Sequence, residues 1–404
     1  MSKVRIIEGV MKLRFEEIYG LFQQKEVTTE EASKMLNVSI RTFLRKRDRH
    51  EEEGFDGLYD QRLGRKSFKK ALDEEIQEVC LLYREKYRGF NVKHFHEFAQ
   101  RDHGLKYGYT WTKKVLEDEG LVRKSKRGGD HRLRRERRPM AGMMIHQDGS
   151  THDWIPGLGH NVDLIITMDD ATSQITSGFF VEQEGTHSSL RGIQETVERY
   201  GLFCSFYTDR GSHYWYTPEA GGKVDKGRLT EVGRALKQLG IGHIAAYSPQ
   251  ARGRSERMFG TLQDRLPREL MLHGIRTMKE ANEYLQQIYI PRHNGQFTVK
   301  SKDIKTAWVT WIGMDLKEIF CLQSERTVHN DNTISYEGLR LQIHQDGLRH
   351  HYVKTVVQVR SYLDGSLGVF YGPRNLGFYN AKGEIMRNEK LMETGVSTKI
   401  KGAL

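Results

Sequence analysis

MMIHQDGSTHDWIPGLGHNVDLIITMDDATSQITSGFFV, residues 143–181, is the stretch whose reading decides the fold. It reads as three short strands in succession, Met143–Gly149, Val162–Met168 and Ile175–Val181, the third β-branched and aromatic. Three strands with no helix between them predict an antiparallel meander. Helical periodicity follows over Ser188–Tyr200, then a fourth strand, Phe203–Thr208. A helix over Leu229–Leu239 stops at Gly240, and Ile241–Tyr247 reads as a fifth strand. Pro249 then opens a long helical stretch. Helix-linked strands predict parallel addition, so the middle of the chain is expected to be an α/β core.

That order gives three acids distinctive positions. Asp148 lies on the first strand, Asp209 leaves the fourth, and Glu256 rides the last helix. If the first and fourth strands are neighbours, both aspartates point into one cleft, which the helix can reach with Glu256. Three carboxylates with no His or Cys partner suit hard ions such as Mg²⁺ or Mn²⁺. Taken singly, each acid reads more simply as a strand-end or solvated helix residue.

Outward from this core, charge is unevenly spread. The 404 residues carry a formal net charge of +11, of which residues 1–140 supply +9. A basic front end predicts a nucleic-acid partner. Thr28 and Glu31 form a capping-box pattern before a first short helix with Ala32, Met35 and Leu36 inward. Ser39 caps a second helix, with Ile40, Phe43 and Leu44 inward and Arg41, Thr42, Arg45 and Lys46 outward. Two short helices with a basic outer face suit entry into a DNA major groove. An ordinary helical hairpin is the plainer reading.

A second unit of this kind follows, with helices over Asp73–Tyr87, around Val92–Ala99, and over Thr110–Glu119, where Lys113 and Lys114 face outward. Arg123–Arg138 holds nine Lys/Arg, among them Arg134, Arg135, Arg137 and Arg138. Such a run can track DNA phosphates or serve as a solvated tether.

Residues 279–320 read as helical, and five short strands from about 325 predict a small β-barrel. Arg340, Arg349, Lys354 and Arg360 there could hold DNA or a second subunit, or the barrel could simply cap the core. His94, His96 and His103 cluster, yet Cys80 is the only nearby thiol, so a zinc site is not expected. The three cysteines form no disulfide framework, and no apolar run is long enough for a membrane helix.

Five strings, in order, carry a resemblance: QDGSTHDW, MDDATS, YTDRGS, SPQARGRSER and LQDRL. Over about residues 25–380 the chain resembles DDE transposases of bacterial insertion sequences, most of all the ISNCY group. These share an RNase H-like core with retroviral integrases and phage Mu transposase. The resemblance implies that Asp148, Asp209 and Glu256 are the catalytic, metal-binding triad, holding two Mg²⁺ or Mn²⁺ ions. It also implies that Asp169 and Asp170 form a structural turn. Sixty residues separate the first two acids and 46 the second pair, with YTPEAGGKVDKGR as the added loop. The string after Asp209 is Arg210-Gly211-Ser212-His213 where the family more often has Lys-His, and Ser255 stands before Glu256 in place of Val.

Helix spacing sets Arg252 and Gln263 on the face of Glu256, where they could meet DNA ends, while Arg254 and Arg257 point elsewhere and could salt-bridge or reach phosphate. His152 either orients a phosphate or packs. Domain expectations follow: a helix-turn-helix domain over 1–64, a second over 65–122, a basic linker over 123–139, an RNase H-like integrase core over 140–300, a helical connector over 301–324, a β-barrel over 325–385 and a tail over 386–404.

The activity implied is binding of terminal inverted repeats in double-stranded DNA, hydrolysis at the element ends, and joining of the 3′-OH to target DNA. The family also implies a homodimer or higher homo-oligomer on DNA, and a bacterial cytoplasmic, nucleoid-associated location. A catalytically silent DNA-binding regulator and an RNase H-like nuclease are the rival classes.

Overall fold

The structure is a computed structural model that describes residues 3–59, 71–124, 136–219, 222–247, 253–345 and 348–386, with side chains from residue 9. Its contacts divide the chain into two compact units, Met1–Glu78 and Val79–Leu404.

In the first unit, α1 (Lys3–Gln23), α2 (Thr29–Met35) and α3 (Ile40–Glu53) surround a core of Phe15, Ile18, Tyr19, Ala32, Leu36 and Phe43. Both sides of the Thr28–Glu31 capping box are made, and Ser39 accepts from Thr42 N–H. Two side chains expected inside are exposed, Met35 at 41% and Ile40 at 43%. Leu36 takes the inward position at the end of α2, and Ile40 is the first residue of α3. The charged spacing of α1 had concealed Phe15, Ile18 and Phe22, an inward stripe at i, i+3 and i+7.

The second unit is built on a five-stranded sheet in the order β3-β2-β1-β4-β5: β1 (Ile145–His152), β2 (Val162–Asp169), β3 (Ile175–Val181), β4 (Ser205–Thr208) and β5 (Gly242–Ala245). The β1–β2–β3 meander is antiparallel, and β4 and β5 add in parallel, as their connections dictate. One face packs on α9 (Gly253–Leu272), α10 (Met278–Tyr284) and α11 (Ile290–Phe297) through Ile166, Phe180, Leu262 and Leu285. The other packs on α7 (Thr186–Tyr200) and α8 (Glu231–Gln238) through Ile145, Ile193, Phe206 and Leu236. β2 is buried along its whole length, mostly apolar but with Asp163, Thr167 and Asp169 among its buried residues.

Gly192 lets α7 close on the sheet, because a Cβ there would meet the Gln147 amide and sit 2.8 Å from Thr167 Oγ1. Gly192→Ala should therefore destabilise the protein by about 1–3 kcal/mol, read as a lower urea midpoint at unchanged m-value.

The helices α4 (Asp73–Glu85), α5 (Val92–His103) and α6 (Tyr109–Asp118) appear as expected, to within a turn at their ends. Within the second unit, α5 is tied to α9. His94 Nε2 donates to Glu269 Oε1 at 2.7 Å, Arg265 pairs with Glu97 at 2.7 Å, and Asn91 bonds Asp264. Glu269 also accepts from Tyr284 and Arg292, so one buried carboxylate joins α5, α9, α10 and α11.

Burial, then the nearby charge of Arg265, pushes His94 down to about 3, and burial pushes His243 down to about 3. The unfolded imidazoles bind protons near 6.5 and the folded ones do not. Stability is thus fully present above pH 6.5 and is lost as pH falls from there towards 3. Each imidazole contributes up to about 1.4 kcal/mol per pH unit. Denaturant unfolding across pH 7 to 4 should show this slope, reduced in His243→Asn.

Two expectations about the later part of the chain need correction. The helical connector over 301–324 holds only a single 3₁₀ turn, Leu316–Glu318. Before it, Thr306 and Val309 form isolated bridges with Ala141 and Leu202. The β-branched, aromatic TAWVTW segment fits that edge pairing better than a helix. The carboxyl-terminal region forms two sheets around one core. The first has the order β12-β11-β10-β9-β6, from β6 (Leu322–Thr327), β9 (Val356–Ser361), β10 (Leu367–Tyr371), β11 (Arg374–Tyr379) and β12 (Ile385–Met386). The second is a hairpin of β7 (Thr333–Tyr336) and β8 (Leu339–Gln342). Among the described residues no ladder closes these strands into a ring.

Candidate active site

The register of the sheet sets two of the three acids side by side. Ile145 pairs with Phe206 and His146 with Tyr207 on the parallel neighbours β1 and β4. Carrying that register on by two residues brings Asp209 level with Asp148. Parallel neighbours stand about 4.8 Å apart and present paired residues to the same face, so the two carboxylates share one side of the sheet. Asp209 Oδ1 accepts Gly211 N–H at 2.9 Å, which turns the chain sharply after β4.

The same face carries α9. His146, Asp148 and Ser150 alternate onto it, and Gln263 Nε2 on α9 donates to Ser150 Oγ at 3.2 Å. At the other end, Arg254 pairs with Asp170, which also takes His146 Nε2 at 2.7 Å. From Arg254 to Gln263 is about 13 Å along a helix, and from His146 to Ser150 is about 13 Å along a strand. So α9 runs beside β1 in the same direction, and Glu256 falls within about one strand residue of the level of Asp148. Glu256 and Gln263, at i and i+7, share a flank of α9, and Glu256 is exposed. Among the described residues no three His, Cys, Asp or Glu side chains converge closely enough to hold a metal. Asp148 lies within β1, Asp209 in the turn after β4, and Glu256 is exposed on α9.

Asp169 and Asp170 are consumed by the turn between β2 and β3. Asp169 accepts from Gly142 N–H, Thr172 N–H and Thr172 Oγ1 at 2.7–2.9 Å. Burial opposes ionisation of Asp170. The hydrogen bonds from His146 and Arg138 N–H outweigh it, with the charge of Arg254, and hold the carboxyl well below the usual carboxylate range.

Other expected residues are placed as follows. Arg41 and Arg45 are exposed on α3, Lys46 is half-buried, and Thr42 Oγ1 lies 2.8 Å from Ser39 Oγ in the cap. Lys114 is exposed, while Lys113 pairs with Glu117 at 3.7 Å. Arg137 Nη1 donates to Asp170 O, Ala171 O and Ser173 Oγ, which makes it an anchor for the turn. Arg138 is exposed. Arg134, Arg135 and Arg252 lie outside the described residues. His152 packs edge-on against Trp154. His96 bonds Tyr107 O and His103 bonds Tyr87 Oη, so with His94 on Glu269 this cluster is structural. Arg360 pairs with Glu318 at 2.6 Å and covers Phe370.

A fourth carboxylate went unread in the sequence. Glu184, between β3 and α7, packs where a side chain on Gly149 would lie. Its Oε1 lies 3.4 Å from both Tyr214 Oη and His213 Nε2. Tyr214 Oη also donates to Gln147 Oε1 at 2.8 Å. Burial, then the charges of Glu184, Asp209 and Asp148, raises the Tyr214 phenol well above its ordinary value. Tyr214 is thus a neutral donor beneath a cluster of negative charge. The glycine directly after Asp148 was the one available signal.

No family model matches the chain. It is 28% identical over 355 residues to a protein of Sinorhizobium fredii described as a transposase, y4bF, covering 87% of this chain and 77% of that one. It is 29% identical over 314 residues to the transposase for insertion sequence IS1202 of Streptococcus pneumoniae, covering 69% and 67%. The chain is similar to two proteins described as transposases, one of them that of an insertion sequence. Among solved structures, the simian T-cell lymphotropic virus intasome in complex with PP2A regulatory subunit B56 gamma matches at 12% identity and TM-score 0.34, covering 76% of this chain and 98% of that one. The HTLV-2 integrase catalytic core domain in complex with magnesium matches at 14% and TM-score 0.26, covering 37% and 89%. At these scores neither likeness bears on the site of this transposase relative. None of its described helices is long and apolar enough to cross a membrane.

Proposed function

We propose that this chain is a DDE-type transposase that cuts DNA at the ends of an insertion sequence and joins those ends to target DNA. What supports the reading is the parallel pairing of β1 with β4, which runs towards Asp148 and Asp209, with α9 over the same face of β1. The relatives' transposase descriptions point the same way.

Asp148, Asp209 and Glu256 offer only oxygen donors, which fits Mg²⁺ or Mn²⁺. Bound by these residues, such ions would supply Lewis acidity to an in-line phosphoryl displacement. The chain's own residues position that reaction. Asp148 is held in β1, Asp209 follows β4, and α9 is tied at Asp170 and Ser150, an arrangement in which Glu256 would join the two aspartates. Water attacks the phosphodiester at the element end, releasing a 3′ hydroxyl. That hydroxyl then attacks a target phosphodiester, and each P–O bond formed replaces one broken.

Arg41, Thr42, Arg45 and Lys46 on α3, and Lys113 and Lys114 on α6, are proposed to face duplex DNA, with helix-turn-helix reading of the terminal repeats. Arg134, Arg135, Arg138 and Arg252 would add phosphate contacts, Arg137 being engaged by the β2–β3 turn, and Gln263 would sit beside the ends. Pairing two ends calls for at least a homodimer.

The test is incubation of the full chain with Mg²⁺ and labelled element-end duplex, beside Asp209→Asn. Strand-transfer products that vanish in the variant support the transposase. Cleavage without joining makes it a nuclease, and binding without cleavage in either sample makes it a regulator.

A further inference from the structure

On the flank of α9 turned away from Glu256 lies a cavity of about 150 Å³. Arg254, Arg257 and Thr261 reach it at i, i+3 and i+7, half a turn around the helix from Glu256 and Gln263. Arg137, Ser173 and His293 complete its polar wall. With a water's share at about 30 Å³, the space suits one tetrahedral oxyanion and a few waters.

Arg257 adds positive charge to this wall. Arg254 is matched by Asp170. Arg137 is anchored on backbone oxygens and Ser173. Arg257 is exposed and forms no ion pair among the described residues.

His293 supplies the independent observation. It is 3% exposed, and both ring nitrogens are buried with no hydrogen-bond partner among the described residues. Its ring is held against Phe297 at 4.6 Å. A buried polar group left without a partner costs about 1–3 kcal/mol, so a partner from outside the chain is the economical explanation. Burial, then the charges of Arg265 and Arg292, pushes the imidazole down to about 4. At neutral pH it therefore offers one N–H donor and adds no charge.

We propose that this cavity is a phosphate-binding site, bound through Arg257 and a ring N–H of His293, and that in the DNA complex it takes a non-scissile backbone phosphodiester. The DNA half rests on the DNA-joining reading, whereas the anion site does not. A phosphate seated here would brace α9 from behind, with Glu256 on the opposite flank.

The experiment uses full-length protein labelled at the histidine rings, titrated with inorganic phosphate against chloride at constant ionic strength. The His293 signals are identified by their loss in His293→Gln. They should shift saturably with phosphate and not with chloride, and Arg257→Ala should raise the apparent Kd about tenfold or more. A melting scan in chloride checks that the variants are folded. A short duplex without element-end sequence is then added to saturation, as judged by its anisotropy. Loss of the phosphate-dependent shift supports a backbone phosphate as the occupant. Persistence of that shift overturns the DNA half and leaves a site for a free phosphoanion. No saturable shift, or an equal one in Arg257→Ala, overturns the whole proposal. Failure of strand transfer alone would not alter the phosphate titration, so the two readings fail separately.

Discussion

Asp148→Asn is expected to leave the protein folded and to lower cleavage and joining on the order of a thousandfold or more. Asp148 sits inside β1, where its backbone pairs with Ile166, and asparagine keeps both that pairing and the side-chain shape. What is lost is one charge of a pair that the β1–β4 register sets on one face. Charge of this kind beside phosphate is repulsive unless cations intervene, so a role confined to DNA binding would favour its removal. The check is single-turnover cleavage of a labelled element-end duplex in Mg²⁺, beside a melting curve. More than a tenth of wild-type rate in a folded Asp148→Asn protein would sink the assignment.

Asp170→Ala is expected to cost about 3–5 kcal/mol of stability, the range for breaking a buried, hydrogen-bonded ion pair. The carboxylate is fully buried and takes His146, Arg138 N–H and Arg254 together. Its loss leaves an arginine and an imidazole turned inward without their acceptor. The effect should reach the reaction, because His146 stands two residues before Asp148 and Arg254 two before Glu256. Urea unfolding measures the first consequence. A fall in joining by a mildly destabilised, still folded Asp170→Asn measures the second. A change under about 1 kcal/mol in Asp170→Ala would show that the network is not structural.

The sheet was legible because its signals were local. Three β-branched runs without a helix between them could only form a meander, and Gly240 and Pro249 punctuated the rest. The placement of Asp148 on β1 and of Asp209 just after β4 was legible for the same reason, since both positions follow once the strands are right. Glu184 was not, because its proximity to Gly149 depends on the β3–α7 connection folding back over β1. Nor were the partners of His94, since Glu269 lies 175 residues away. Helix α1 escaped notice because its inward stripe is diluted by charge. Met35 and Ile40 were misplaced because periodicity gives a face but not where the neighbouring helix ends.

The central claim is that Asp148, Asp209 and Glu256 hold divalent cations together. It is tested most directly by Mn²⁺ binding to the full chain, with element-end duplex present, followed by electron paramagnetic resonance. Wild type, Asp148→Asn, Asp209→Asn and Glu256→Gln are compared. The account predicts tight Mn²⁺ binding in wild type, lost in either aspartate variant and weakened at least about tenfold in Glu256→Gln, since each removes a hard oxygen donor. Mn²⁺ binding unchanged in Asp148→Asn and Asp209→Asn would contradict it.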